Sequence, residues 1–427
     1  MRTYCLFSIV IFLGGCQLSS EEKSRKISIP FTIVEGYGPF IPSFGLLAAE
    51  NKQSGWAKTY ENPKGIPKNW HHVIQSNIWL DPYQFVYQHF KKGNIDKGMY
   101  EYLQQSWKWV PDTTQLTSTF IRCFVYAVSG LDKSGNQWVI VDTNNNLDFS
   151  DEKAFEPEQL VFGKNEFSTK NLQRVHYDHF INGKVMNTDF PLVMKVFKDG
   201  NLGYNIPQYG RCKLGDYTIV FPRNSFVFQK CGIVEETANK TFENNQLIEI
   251  DKYLTLGGLL GNKYKNKGVD FYTQTLQLES GHNENVYSFQ NGYLLEPFKG
   301  QEFVTGKEIH TDNYKGKYLY VDFWGTWCRG CVQDIPKLVD LYQILDKTKV
   351  EFVGIAAGES SPEKLRSFLE KHKVKWPQIL NTPQNDLVKR YHIDAFPTTA
   401  LIDPTGKIVQ TNISAKDLKE ILDKELK

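Results

Sequence analysis

Two cysteines three residues apart, Cys328 and Cys331, follow the apolar run Tyr320-Val321-Asp322-Phe323-Trp324 and open a stretch with helical spacing; no other feature constrains the fold as much. Apolar residues at Val332, Ile335, Leu338, Val339, Tyr342 and Leu345 mark one helix face. A thiol at a helix start meets unpaired backbone N–H groups and the positive end of the helix dipole, which favours the thiolate that attacks disulfides. Cys328 is therefore the expected nucleophile. Cys331, one turn further in, can reach back and resolve the mixed disulfide. A zinc half-site would need a second Cys or His pair at comparable spacing, and the sequence offers none after this one.

Beyond the helix, strand-like and helix-like segments alternate. A buried strand is expected at 350–356, a helix opening at Ser361-Pro362, a strand at 376–380, a short helix at 385–391 and a strand at 397–403. The turn Pro404-Thr405-Gly406 leads into a strand at 407–410, and a last helix is expected at 414–424. Such alternation predicts an α/β sheet flanked by helices.

From about Gly292 onward the chain resembles the thioredoxin superfamily, in particular the TlpA/ResA-like thiol-disulfide oxidoreductases. The resemblance rests on the strand 320–324, the turn Trp327-Cys328-Arg329-Gly330-Cys331, Pro336 in the helix, and Phe396-Pro397-Thr398-Thr399. It implies a cis proline at Pro397 facing the cysteines, with Trp327, Phe396 and Pro397 contacting an extended substrate segment. It also implies disulfide-bonded envelope proteins as substrates, a membrane electron donor, and cytochrome c maturation among the pathways served; the redox chemistry would need no cofactor. The dipeptide Arg329-Gly330 replaces Gly-Pro, so a reduction potential does not carry over.

Two carboxylates bear on the chemistry. Asp322 interrupts an apolar strand, so its pKa should be raised and it could accept the proton of Cys331; thioredoxins carry an aspartate at this place. Asp334 stands where TlpA/ResA-like proteins carry a glutamate, or is a solvated residue of the first helical turns. A peroxidase of the related peroxiredoxin group would carry a threonine three residues before its reactive cysteine, where this chain has Gly325.

At the other end, Arg2, the short apolar run 6–13 and Leu13-Gly14-Gly15-Cys16 suit a signal peptide over 1–15. The last four residues resemble a bacterial lipobox, which implies a lipid-modified Cys16 and a tether over 16–26. The expected location is the bacterial cell envelope, lipid-anchored in the bilayer with the globular part outside the cytoplasm. Gln17 in place of aspartate favours the outer over the inner membrane.

A length of 427 residues exceeds one thioredoxin-sized unit, so a further region is expected over 27–290 before the domain at 291–427. The formal net charge of +2, with both signs interspersed, argues against a nucleic-acid partner. Residues 27 to about 115 have helical spacing at 81–91 and 95–107, and Trp56, Trp70, Trp79, Trp107 and Trp109 there suit a core better than a substrate groove. After that the pattern turns β-rich, with runs at 120–128, 137–141, 192–197 and 217–221. A hairpin turning at Pro222-Arg223-Asn224 into 225–228 would lie between Cys212 and Cys231, which are either a structural disulfide or two buried thiols. Cys123 suits a packed core. Asp142, Asn144, Asn146 and Asp148 alternate as in the first half of a calcium loop, but Leu147 replaces the turn glycine and Glu152 falls one residue early. Calcium and an Asx-rich turn without metal both fit. Overall, the expected function is that of an envelope thiol-disulfide oxidoreductase in the reductase direction; the alternative is a binding or scaffold lipoprotein whose region 27–290 does the main work.

Overall fold

A computed structural model describes residues 25–107, 109–223, 232–258, 261–281, 286–359 and 361–426. The expected signal peptide, Cys16, the run 225–228 and Cys231 lie outside them. Five strands near the C-terminus form one sheet in the order Gln378–Leu380, Val350–Ala356, Tyr318–Trp324, Thr398–Ile402, Ile408–Thr411. The first three are mutually parallel and each of the last two runs antiparallel to its inner neighbour. Alternation along the central strand sets the two faces. Tyr320 and Trp324 pack with Ile335, Leu338, Leu365, Leu418 and Leu422 of the covering helices, while Val321 and Phe323 pack with Val353, Tyr391 and Ile393 on the other side. Each such buried side chain stabilises the fold by about 1.5–3 kcal/mol. Helix starts follow the expected chemistry: Ser361 Oγ accepts from Lys364 N at 3.2 Å ahead of Pro362. The chain here has the thioredoxin-like α/β fold.

The N-terminal region is β-rich. Three antiparallel sheets, one of them pairing His71–Trp79, Phe124–Leu131 and Gln137–Val141, accompany a five-stranded mixed sheet built around Lys184–Val196. The two expected helices form at Pro82–Lys91 and Lys97–Ser106, capped by Asp81 and Asp96. They press Phe85, Tyr100 and Leu103 into a core that also takes Trp109, with Trp56, Trp70, Trp79 and Trp107 packed at its margin. The tryptophans thus serve the core. The segment expected as turns and helices also holds the strands Arg25–Pro30, Thr32–Glu35 and His71–Trp79, a correction.

The expected hairpin turns at 222–224 into a run outside the described residues, whereas the disulfide alternative for Cys212 is corrected. Tyr217–Pro222 pairs backward with Gln208–Leu214 through a two-residue turn, Gly215-Asp216, with Gly215 at φ +60°, where a side chain would be strained. This register places Cys212 opposite Ile219 with its thiol in the core. Cys212 is a free thiol, as is the fully buried Cys123. Burial pushes the Cys212 thiol up to about 11.

The segment after residue 286 joins the two parts of the chain. Gly292 N–H donates to Ile408 O and Ile408 N–H to Tyr293 O at the margin of the thioredoxin-like sheet. On its other side Gln290 meets the edge strand Tyr253–Leu256: its side chain accepts from Tyr253 N–H at 2.7 Å and donates to Tyr253 O at 3.1 Å. The Tyr253 and Tyr293 rings stack at 5.6 Å.

Candidate active site

Cys328 is the N-cap of the helix Arg329–Ile344, and its sulfur accepts from Cys331 N–H at 3.2 Å. The two cysteines form a disulfide with Cα atoms 5.3 Å apart, and both are buried. A cap position exposes the sulfur to the free N–H groups of the first turn, the arrangement that stabilises a thiolate once the bond is reduced.

The turn ahead of Cys328 is held on both sides. Thr326 donates its backbone N–H and its hydroxyl to the Glu359 carboxylate, each at 2.6 Å. Trp327 donates its indole N–H to Ala357 O at 2.8 Å yet leaves its ring 52% exposed. That ring meets Phe396 edge-on at 5.3 Å, an aromatic platform beside the disulfide. Gly358, at φ +66°, lets the indole lie close: a Cβ there would come within 2.9 Å of its nitrogen. The Phe396–Pro397 bond is cis, and Pro397 lies across from Gly330, whose Cβ would meet it at 3.5 Å. The structure therefore brings Trp327, Cys328, Cys331, Phe396 and Pro397 together.

Behind the disulfide is a cleft of about 220 Å³ lined by Tyr320, Asp322, Cys331, Asp334, Pro397 and Thr399 among others. Asp322 shares the face of the central strand that carries Tyr320 and Trp324, beneath the active-site helix, and is 4% exposed. Its Oδ1 is buried without a hydrogen-bond partner. Burial first, then the nearby Asp334 charge, push its carboxyl up to about 7. Asp334 itself forms an ion pair with Lys337 at 3.0 Å, so it both faces the cleft and stays anchored towards solvent. The two carboxylates that the sequence singled out share one cavity with Cys331.

The loop at 142–152 is elsewhere, in the N-terminal region. Asp142 accepts from Asn146 N–H at 3.0 Å and Leu147 N–H at 2.8 Å, Asn144 from Asn146 N–H, and Asn146 from Asp148 N–H. Asp148 accepts from Ser150 and pairs with the Lys64 ammonium at 3.1 Å. Leu147 takes φ +66° although it is not glycine, and its side chain packs against the core, which offsets a cost of about 1–2 kcal/mol. The oxygens proposed for calcium serve the loop's own backbone, as in an Asx-rich turn. Among the described residues no group of three or more His, Cys, Asp or Glu has the arrangement of a metal site. On the turn reading the melting temperature of the full chain should not change in millimolar calcium, whereas Asp142→Ala should cost about 1–2 kcal/mol by removing the acceptor of the part-buried Leu147 N–H. A calcium-dependent rise in the melting temperature would overturn the turn reading.

Glu359 and Thr399 were not singled out from the sequence. A usable signal existed, because Glu359 follows the carboxyl end of the strand Val350–Ala356, the end at which α/β sheets place their sites.

The AhpC/TSA family matches residues 295–411. The thiol-disulfide oxidoreductase ResA of Bacillus thuringiensis subsp. konkukian is 32% identical over 124 residues, covering 29% of this chain and 70% of that relative. ResA of Bacillus subtilis is 34% identical over 109 residues, covering 26% and 60%. Among solved structures, the thioredoxin domain of a thiol-disulfide oxidoreductase from Bacteroides vulgatus is 27% identical, covering 33% of this chain and all of that one, with a TM-score of 0.31.

Proposed function

The chain belongs to the ResA-like thiol-disulfide oxidoreductases of the thioredoxin superfamily, and from that premise we propose that it reduces protein disulfides in the bacterial cell envelope through Cys328 and Cys331. The observation that carries this reading is the disulfide at the helix cap, flanked by the exposed Trp327 and Phe396–Pro397 and backed by Asp322. Cys328 attacks a substrate disulfide and forms the mixed disulfide; Cys331 then displaces the substrate thiol while Asp322 accepts its proton. A membrane electron donor returns the pair to the dithiol. The lipobox-like residues ahead of Cys16 support a lipid anchor, more in keeping with the outer than the inner membrane, and cytochrome c maturation is one pathway such a reductase could serve.

Direction follows from the reduction potential. Arg329 beside Cys328 favours the thiolate and so works against the reductase direction, which makes the potential the deciding measurement: the reductase reading requires a low value despite Arg329. Equilibration with glutathione should give a value at or below about −230 mV, on the reducing side of the glutaredoxins. A value near about −120 mV, that of a strong oxidant, would reverse the proposed direction.

A further inference from the structure

The loop that follows the strand Val350–Ala356 grips the turn ahead of Cys328. Ala357 N–H donates to Trp324 O at 2.8 Å, which continues the ladder of the two parallel strands. Ala357 O then takes the Trp327 indole N–H, and the Glu359 carboxylate takes the N–H and the hydroxyl of Thr326 on its two oxygens. Gly325 leaves room for this approach: a Cβ there would come within 2.8 Å of Ala357 O. Cys328 N–H closes the same turn on Gly325 O at 3.1 Å.

Water or a neutral acceptor would satisfy the Thr326 donors equally, so what a glutamate adds is its charge. Thr326 and Cys328 are two residues apart, and their Cα atoms therefore lie at most roughly 7 Å from each other. At such a range, near a protein surface, a fixed negative charge makes a second one harder to form. Glu359 is half-buried, and among the described residues it takes part in no ion pair, so Thr326 alone shares its charge. The other charges around the cysteines are Arg329 in the first helical turn, which favours the Cys328 thiolate, and Asp322 and Asp334, which line the cleft on the Cys331 side. Phe396 and Pro397 bring none.

We propose that Glu359 is a positioning residue that keeps the Cys328/Cys331 pair reducing: it fixes the turn and opposes the thiolate that Arg329 favours. A disfavoured thiolate makes the dithiol a better electron donor, because closing the disulfide removes the anion. The proposal rests on the exchange reading above and names what sets its direction. In equilibrium with glutathione, the protein disulfide takes two electrons and two protons from two glutathione thiols, leaving the protein dithiol and glutathione disulfide.

The test is alkylation of the reduced full-length protein by iodoacetamide across pH, with the Cys328 peptide followed by mass spectrometry. A glutamine side chain accepts the Thr326 N–H and donates to the Thr326 hydroxyl oxygen, so Glu359→Gln removes the charge and keeps both bonds. It should raise the acid dissociation constant of Cys328 roughly fivefold. At high pH it should move the glutathione equilibrium by the same factor towards the dithiol, about 20 mV at about 30 mV per tenfold. Glu359→Asp keeps the charge and should stay within about twofold of the wild type. Glu359→Ser gives the neutral reading if Glu359→Gln melts early. Unchanged acidity of Cys328 in the neutral variants, or an equal change in Glu359→Asp, overturns the proposal and leaves Glu359 a brace of the turn. Alkylation needs no disulfide substrate, so failure of the protein to reduce any disulfide would overturn the exchange reading alone.

Discussion

Cys328→Ser should abolish disulfide exchange, with a loss of at least about a thousandfold, while Cys331→Ser should accumulate enzyme covalently joined to substrate through Cys328. The asymmetry follows from the helix start. Only the sulfur of Cys328 occupies the cap, where it accepts a backbone N–H. Cys331 lies one turn inside the helix and lacks that cap position, and it lines the cleft behind the disulfide with Asp322. Without Cys331 the second displacement has no intramolecular thiol, and the intermediate persists until an external thiol arrives. Mass spectrometry of acid-quenched reactions with a protein disulfide reads both variants. Adducts on Cys328→Ser but not on Cys331→Ser would reverse the roles.

Asp322→Asn should stabilise the folded protein above neutral pH and at the same time slow the resolution step. An unfolded chain ionises this carboxyl near pH 3.9, whereas in the fold burial and Asp334 push it up to about 7. Below about pH 4 both states hold the proton and the carboxyl has no effect. Between about 4 and 7 only the unfolded chain has lost it, so stability declines as pH rises; above about 7 the penalty is constant. Three units correspond to about 4 kcal/mol at most, and water entering around the charge would reduce it to about 2–4 kcal/mol. Asparagine carries no such penalty, so the gain in melting temperature should be larger at pH 8 than at pH 5. Resolution in the wild type should speed up with pH through about 7, as Asp322 becomes able to accept the Cys331 proton, and the variant should lose that inflexion. Equal gains at both pH values would sink the burial account. A pH profile that survives the substitution would sink the proton-acceptor role.

The C-terminal fold was legible because local chemistry and global packing agree there. Apolar runs bounded by Ser361-Pro362 and Pro404-Thr405-Gly406 placed the strands and helices after residue 318 within a few residues of where they lie, while the short pair Lys299–Gln301 and Glu308–His310 went unread. Asp322 could be read for the opposite reason: a carboxylate is conspicuous in an apolar strand. The N-terminal strands hid behind mixed patterns. His71–Trp79 buries Ser76 and Ile78 and leaves its first four residues exposed, so no alternation marks it. In Gln173–Ile181 the inward row is Val175, Tyr177 and His179, and a buried histidine breaks the apolar count. The hairpin of Gln208–Leu214 with Tyr217–Pro222 went unread because proline and asparagine at 222–224 outweighed the Gly215-Asp216 pair that makes its turn. Glu359 was missed because its partner Thr326 lies 33 residues away in the chain, beyond the reach of any local pattern.

The side-chain amide of Gln290 occupies one donor and one acceptor at the rim of a four-stranded sheet, while Tyr293 stacks on the Tyr253 ring and its hydroxyl bonds Thr255 of the same strand. A bare rim of this kind is a template on which a second copy of the chain can lay down a strand, the first step towards strand exchange or fibrous aggregation. Plugging that rim from within the same chain removes the template and so guards each copy against pairing with the next.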